Sequence, residues 1–580
     1  MSRAPRTGAA SFRARGWFAF GLLGLAATGL LVRAVHLQLV QHEFLIGEGE
    51  ARAVREVAIE AHRGAIVDRN GRPLAISTPM ESIYANPREL GTVPDRWPDL
   101  ANQLKRNRKE FALRISSSQD REFVWLARHL TPAQALAVQK MNVPGVYQRS
   151  EYWRFYPEGE VLGHVLGVTN QDDQGQEALE LAFDSLLAGQ DGAKRVIRDR
   201  NGRRVDDIEN IRAVRPGRDL MLSIDTRIQY LAYRELKRAI DDHRATAGSM
   251  VVLDTLTGEV LAMVNQPTFN PNDHDQRAAA MRGGRLRNRA VTDMLEPGSS
   301  IKPFVIAAAL ESGRFDGASL IDTGTGSFEF GGVEVNDEHP LGLLDLAGVL
   351  SKSSNVGMAK IAKELEYQQL WATLTRFGFG HVTASQFPGE SAGSLTNYAN
   401  WRWVTVSSLS RGYSLAVTPL QLAQAYATLG SLGVARPVSL LRVDAQVPGT
   451  RAMGERNART LISLLEAAVN DGTGSRAAIP GYRVAGKTGT SWKTKPGERG
   501  YNEDRYTAVF GGLAPASNPR LAAVVVIDDP RSRQYYGGEV AAPVFSAVIG
   551  GALRLMGVAP DVELDRQVDP LTGVATMVNR

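Results

Sequence analysis

The 580-residue chain contains no cysteine. Disulfides, Cys-ligated zinc, iron–sulfur clusters and a thiol nucleophile are thereby excluded. Its nine histidines form no H-E-x-x-H or similar pair, so there is no metal motif, and no cofactor is implied. Excess charge is also scarce. Lys+Arg number 67 and Asp+Glu 62, a net +5, and this balance argues against a dedicated nucleic-acid binder, which concentrates basic residues on one face. Repeats and low-complexity tracts are absent. With 43% hydrophobic and 22% charged residues the composition is ordinary globular, which rules out global disorder and collagen-like chains. The length suggests two or three domains.

The N-terminus is the first informative stretch. Arg3, Arg6, Arg13 and Arg15 precede an uncharged apolar run from Trp17 to Val32, and the first acid is Glu43. Arg33 interrupts the run but can snorkel at an interface, so residues 17–40 read as a single transmembrane anchor. The basic flank predicts a cytoplasmic tail over residues 1–16 and everything beyond about residue 40 outside. A cleaved signal peptide competes, because Val32-Arg33-Ala34 loosely fits a cleavage site, although Arg33 is a poor neighbour for cleavage. A buried globular helix is disfavoured by the lack of any polar face from Gly16 to Leu31. Gly24 and Thr28 have the spacing of a helix-pairing motif.

Further along, residues 34–54 read as a helix leading out of the membrane. Glu56–Glu60 alternates like a strand. Ile66–Leu74 reads as a hairpin turning at Asn70-Gly71, and Val196–Gly202 carries a second Asn-Gly turn. Pro216-Gly217 marks a boundary. Beyond it come a strand over Leu220–Ile224, an amphipathic helix over Gln229–Ile240 and a hairpin from Met250 to Val264. Strands over Ala508–Leu513 and Leu521–Ile527 and a helix over Val540–Leu555 close the chain. Antiparallel strands at both ends of a helical middle predict an α+β domain closed by its own termini. The expected organisation is a pedestal over residues 41–215, a second domain over 216–563 and a loose tail over 564–580.

Three short motifs carry chemistry. In Glu296-Pro-Gly-Ser299-Ser300-Ile301-Lys302 the spacing places Ser299 at a helix N-terminus with Lys302 on the same face. A serine becomes a nucleophile only with a base, and a lysine of depressed pKa can be that base. The second motif, Ser353-Ser354-Asn355, offers a proton relay and an amide donor. The third, Lys487-Thr488-Gly489-Thr490, reads as strand, with Gly489 where something approaches the backbone closely and Lys487 as a charge for a carboxylate. Singly, each has a plain structural reading: an N-cap with a solvated lysine, a helix cap, an ordinary strand. Gly481–Thr488 also matches G-x-x-x-x-G-K-[ST], but its interior is strand-like and Gly489 follows at once, so a phosphate loop is rejected.

The ordered triple S-x-x-K, S-x-N, K-T-G resembles that of the serine penicillin-recognising enzymes. Arg63–Gly71, Arg154–Pro157 with Gly163-His164, Val417–Gln421, Ala514-Pro515 and Tyr535–Gly538 resemble the class B penicillin-binding proteins. His339-Pro340 through Gly357 most resembles the division-specific (septal) type. Ala178 and Ser414 depart from the family, which usually has glycine at both positions. The resemblance implies a β-rich, dimerisation-type pedestal and a transpeptidase domain with a five-stranded antiparallel sheet flanked by helices.

The implied reaction is peptidoglycan D,D-transpeptidation. Ser299 attacks the carbonyl between the two terminal D-alanines of a stem peptide, Lys302 takes its proton, Ser353 relays it and Asn355 orients the amide. Lys487 and Thr488 bind the terminal carboxylate region or tune Ser353, Thr488, Gly489 and Thr490 are substrate or β-lactam contacts, and the backbone N–H groups of Ser299 and Thr490 resemble an oxyanion hole. Tyr413 and Tyr535 are further substrate or β-lactam contacts. The implied partners are peptidoglycan stem peptides, β-lactam antibiotics, a glycan-polymerising membrane protein and other division proteins, with the catalytic domain in the periplasm of a bacterial inner-membrane protein. An elongation-type transpeptidase is the alternative. A β-lactamase or a β-lactam sensor is less favoured, because no base for water activation is evident and all three motifs are intact.

Overall fold

The computed structural model describes residues 9–44, 54–198, 204–330, 332–445, 447–495, 500–562, 564–568 and 575–579. They form two compact units. One comprises Met1–His62 and Gly189–Pro216, the other Arg63–Ala188 and Gly217–Arg580.

In the first unit, Ala9–Val35 is one α-helix and continues as a π-helical turn over His36–Val40. The stretch Arg15–Val40 is long and apolar enough to cross a membrane, and none of its most apolar window is buried. At 1.5 Å per residue its 26 residues span about 39 Å, more than the ~30 Å hydrocarbon layer. Thr28 Oγ1 donates to the Gly24 carbonyl at 2.8 Å, so the hydroxyl is satisfied within the helix. The rest of this unit is an antiparallel sheet of Val54–Ile59, Gly192–Arg198 and Arg204–Arg212. The expected turn at Asn201-Gly202 and the end of the expected 34–54 helix lie outside the described residues.

The second unit begins with the expected hairpin. Ile66–Val67 pairs with the long strand Pro73–Ala85, and the turn is held by Asp68, whose Oδ1 accepts from the N–H groups of Asn70 and Arg72. Gly71 has φ 84°, the left-handed value that the Asn-Gly turn requires. Pro73–Ala85 also pairs with Val124–Leu130 and Val146–Phe155, over a small core that includes Ile83, Leu100, Phe111 and Leu126. A buried ionic knot ties this region together. Glu180, with no exposed surface, accepts from Arg63 Nη2 at 2.7 Å and from Arg154 Nε at 2.7 Å. Arg63 also reaches Asp184 at 2.7 Å. Removing one partner would leave a charge buried without compensation.

The remainder is the expected α+β domain. Its five-stranded antiparallel sheet runs in the order Val260–Gln266, Ala247–Asp254, Leu521–Asp528, Tyr501–Ala514, Ala485–Thr494. The first two strands come from the start of the domain and the other three from its end, so the termini close the sheet. Alternation splits the side chains between two cores. Val251, Leu253, Val524 and Val526 face the helices Lys302–Glu311 and Pro419–Gly430. Met250, Val252, Val525 and Ile527 face Thr226–Asp242 and Ala542–Leu555. Because both faces are covered, these strands read as continuous apolar runs. Gly537–Leu555 is also apolar enough to cross a membrane, but it is half buried against the sheet and serves as a core helix.

The helix Pro419–Gly430 starts with a capping box. Thr418 Oγ1 accepts from Gln421 N, Gln421 Oε1 accepts from Thr418 N, and Pro419 occupies the first turn, where its missing N–H costs nothing. Within the segment expected as a loose tail, Leu564–Val568 pairs antiparallel with Ala575–Asn579.

Candidate active site

Ser299 lies in a 3₁₀ turn, Gly298–Ile301, that leads into the helix Lys302–Glu311. The expectation of a helix N-terminus is met one turn later than anticipated. Pro303 lacks an N–H and fits only near a helix start. The 3₁₀ turn keeps Ser299 and Lys302 on one side, since residues three apart eclipse there. Among the described residues, Ser299 Oγ makes no hydrogen bond to protein.

Lys302 is fully buried. Its Nζ faces four oxygens of the second motif: the Ser353 carbonyl at 2.6 Å, Ser353 Oγ at 3.3 Å, the Ser354 carbonyl at 3.3 Å and Asn355 Oδ1 at 2.9 Å. Burial pushes its pKa well below the ordinary lysine value. The charges of Lys487 and Arg411 push the same way, and Asp337 opposes them.

The second motif occupies the junction between the helices Leu346–Ser351 and Asn355–Lys363. Ser353 has φ 55°, a left-handed value rare outside glycine. Ser354 caps the second helix, its Oγ accepting from Gly357 N at 2.8 Å. Asp337 was not foreseen from the sequence. Its Oδ2 accepts from Ser354 Oγ at 2.7 Å, and its Oδ1 accepts from Asn355 N at 2.5 Å and Val356 N at 3.1 Å. One carboxylate thus satisfies the orphan donors of the helix that carries the motif. Its signal in the sequence is faint, because it reaches Ser354 from the end of a separate strand, Val333–Asn336.

The third motif lies on the edge strand Ala485–Thr494, whose strand conformation runs unbroken through Lys487-Thr488. No helix follows Thr488, so the phosphate-loop match has no structural counterpart. A Cβ on Gly489 would lie 2.5 Å from the Pro297 carbonyl oxygen, so the backbone that approaches it is the Ser299 turn itself. Gly412 makes a similar approach from the opposite side, where a Cβ would overlap the Gly298 carbonyl oxygen. Packing backbone against backbone brings the peptide groups of the Ser299 turn and of Thr490 beside one another. Lys487 is buried, and burial lowers its pKa to about 7. Thr488 Oγ1 shares a 2.8 Å hydrogen bond with Thr473 Oγ1, and Thr490 Oγ1 accepts from Gly537 N at 3.0 Å.

A cleft of about 950 Å³ is lined by Ser299, Ser353, Asn355, Thr488, Thr490 and Tyr413, among others. Tyr413 stacks edge-on against Tyr501 at 5.5 Å. Tyr535 does not line this cleft, and its place there is taken by Tyr536. Tyr535 is sandwiched between Tyr506 at 4.2 Å and Tyr536 at 4.5 Å. Through the second of these stacks it supports Tyr536. From the sequence Tyr535 is the expected contact, but successive residues ahead of the short helix Gly537–Val540 point in different directions, and Tyr536 is the one that lines the cleft.

The match to the penicillin binding protein transpeptidase domain covers residues 248–550, and the match to the penicillin-binding protein dimerisation domain covers residues 58–222. The chain belongs to the class B penicillin-binding transpeptidases. It is 43% identical to peptidoglycan D,D-transpeptidase FtsI of Escherichia coli over 93% of its own length and 92% of that protein. It is 39% identical to the probable peptidoglycan D,D-transpeptidase PenA of Neisseria meningitidis over 97% and 95%. The transpeptidase domain of penicillin-binding protein 3 from Burkholderia pseudomallei superposes with a TM-score of 0.54 at 38% identity, covering 59% of this chain and 98% of that one. Penicillin-binding protein 3 from Mycobacterium tuberculosis, complexed with aztreonam, gives 0.68 at 28%, covering 87% and 98%.

Proposed function

We propose that this penicillin-binding protein is a peptidoglycan D,D-transpeptidase of the division septum that works through an acyl-enzyme on Ser299. The observation that carries the mechanism is the environment of Lys302. It is a buried amine, held among the oxygens of Ser353, Ser354 and Asn355, with its pKa driven down by burial and by Lys487. A neutral Lys302 accepts the Ser299 proton as Oγ bonds to the carbonyl carbon of the penultimate D-alanine. The tetrahedral oxyanion is held by the N–H groups of Ser299 and Thr490, each donor contributing roughly 3 kcal/mol at the transition state. As the C–N bond breaks, the proton passes through Ser353 Oγ to the departing D-alanine amine. An amine of a neighbouring stem peptide then attacks the ester, loses its proton by the same route in reverse and regenerates Ser299.

Lys487 and Thr488 read the terminal carboxylate. β-Lactams acylate Ser299 in the same way and remain bound, as supported by relatives whose structures hold aztreonam and ampicillin. The septal assignment rests on the FtsI relatives. The basic flank and the N-terminal apolar helix support an anchored protein with a cytoplasmic N-terminus and a periplasmic catalytic domain. The family resemblance adds a glycan-polymerising membrane partner and other division proteins as proposed partners.

Labelling with fluorescent penicillin and mapping the modified residue by mass spectrometry tests the reading. Ser299 is expected to carry a long-lived adduct, and Ser299→Ala is expected to carry none while still folding. Rapid turnover of the adduct would instead indicate a β-lactamase. A reporter that is active only outside the cytoplasm, fused after about residue 60, is expected to give signal. A mature N-terminus near Val35 would overturn the anchor.

A further inference from the structure

The two ends of the catalytic cleft differ chemically. One end is rich in hydroxyls, where Thr473 meets Thr488 and Thr490 meets the Gly537 N–H. The other end is aromatic, where Tyr501 packs against both Tyr413 and Trp492. At the aromatic end lies a cation that the mechanism above does not use. Arg411 lines the cleft and is only partly exposed. It stands in a tight turn after the helix Trp403–Leu409, fixed by the left-handed Gly412 (φ 90°) that packs on Gly298.

The guanidinium of Arg411 is anchored but not neutralised. Its Nε donates to the Ser407 carbonyl at 3.1 Å. Among the described residues its two Nη groups have no hydrogen bond, no carboxylate pairs with it and no ring stacks on it. The Nη atoms are not sealed away from solvent either. The treatment of Arg63 and Arg154 is quite different, since these buried guanidiniums converge on Glu180. A partly buried, unpaired guanidinium is costly to keep. Its planar fork of donors matches a carboxylate bidentately.

We infer that Arg411 is a specificity residue that binds a second carboxylate of the substrate, on the acyl side of the scissile bond. The inference rests on the transpeptidase reading, in which the terminal carboxylate is taken by Lys487 and Thr488 at the hydroxyl-rich end. The rest of the donor stem peptide then extends toward Tyr413 and Arg411. The donor is accordingly a stem peptide whose residues before the D-alanines carry a free carboxylate, rather than one that is neutral or purely cationic there. The charge of Arg411 also helps to keep Lys302 neutral. A bound carboxylate would moderate that effect.

The test uses two penicillins that differ by one group. Benzylpenicillin has only its ring carboxylate, the counterpart of the terminal carboxylate. Carbenicillin is the same molecule with an added carboxylate on the acyl side chain. Second-order acylation rates are measured for full-length wild type, Arg411→Gln and Arg411→Lys in detergent. The carbenicillin-to-benzylpenicillin rate ratio is expected to fall about tenfold in Arg411→Gln and to recover at least in part in Arg411→Lys. A ratio in Arg411→Gln within twofold of wild type overturns the inference. If both rates fall together, Arg411 serves the ring carboxylate or the fold, and if neither moves it reads no carboxylate. A wild type that forms no acyl-enzyme with either compound would instead remove the underlying transpeptidase reading.

Discussion

Lys302 and Ser353 are joined twice. The buried Nζ lies 2.6 Å from the Ser353 carbonyl oxygen and 3.3 Å from its Oγ. Ser353 can present both atoms to one amine because its backbone is left-handed, φ 55°. The base and the relay of the proposed mechanism are therefore positioned by one strained residue, and the first two predictions separate their contributions.

Lys302→Arg keeps a positive charge but cannot deprotonate near neutral pH. If Lys302 is the base, the arginine variant loses penicillin acylation almost as fully as Lys302→Ala, by orders of magnitude. A purely electrostatic role predicts that arginine retains most of the activity. Acylation rates of both variants, with folding checked by circular dichroism, decide the matter. A well-folded arginine variant within about threefold of wild type, a barrier change below roughly 1 kcal/mol, would remove Lys302 from the role of base.

Ser353→Gly and Ser353→Ala both delete the hydroxyl, but only glycine relieves the left-handed backbone, which costs a side-chain-bearing residue about 1–2 kcal/mol. Glycine returns part of that gain through its freer unfolded state. The glycine variant is expected to be more stable than the alanine variant by about 1 kcal/mol, while both acylate at least a hundredfold more slowly than wild type. Thermal midpoints and acylation rates measured side by side give both quantities. Acylation by the glycine variant at near the wild-type rate would show that the hydroxyl relays no proton.

The sequence disclosed the parts of this site that are local. Each motif is a few residues long, and the chemistry of Ser299, Lys302, Ser353, Asn355 and Lys487 follows from residue type and order. The Asn70-Gly71 hairpin and the apolar N-terminal run were legible for the same reason. The contacts that hold the motifs in place are not local. Asp337 reaches Ser354 from another strand, Thr473 meets Thr488 across a loop, and Gly412 packs on Gly298 from more than a hundred residues away. No periodicity announces such pairs. Arg411 escaped notice because an arginine in a turn reads as solvated, and only the cleft shows it half-buried without an acid.

Ser414 and Ala178, where the family usually has glycine, both have left-handed backbones, with φ 62° and 52°. Glycine is the unstrained choice at such positions. The two replacements are nevertheless expected to differ. Ser414 is exposed, and its main contact to Glu296 runs through its backbone N–H, so glycine keeps it. Ser414→Gly should stabilise the protein by about 0.5–1 kcal/mol. That corresponds to a rise of about 0.5–1 °C in the midpoint of a chain this large. Ala178 is buried at 5% exposure, and its methyl carries about 0.8 kcal/mol of apolar burial. Ala178→Gly should therefore be close to neutral. Thermal scans of the two single variants check both values, and a destabilised Ser414→Gly would mean that its side chain makes a contact worth more than the backbone strain.

The two buried lysines make opposite demands on pH. Acylation needs Lys302 neutral, which holds above its lowered pKa, and Lys487 charged, which holds below its pKa of about 7. The rate of free enzyme with dilute penicillin should trace a bell whose alkaline limb falls from about pH 7 by up to tenfold per unit. Because Lys487 also acts on Lys302, the two limbs belong to the pair rather than to either residue alone. Lys487→Arg stays charged throughout and should lose the alkaline limb while keeping the acid one. Stability should move the other way. Above pH 7 the folded state has released the Lys487 proton, whereas the unfolded state holds it until about pH 10.4. The unfolded chain thus binds more protons in this window, and stability rises with pH there, at no more than about 1.4 kcal/mol per unit for this group. Lys487→Met should reduce that rise and leave the part that Lys302, also lowered by burial, contributes. Acylation rates from pH 5 to 9 and denaturation midpoints from pH 7 to 9 supply both curves. An alkaline limb that persists unchanged in Lys487→Arg would assign it to another group.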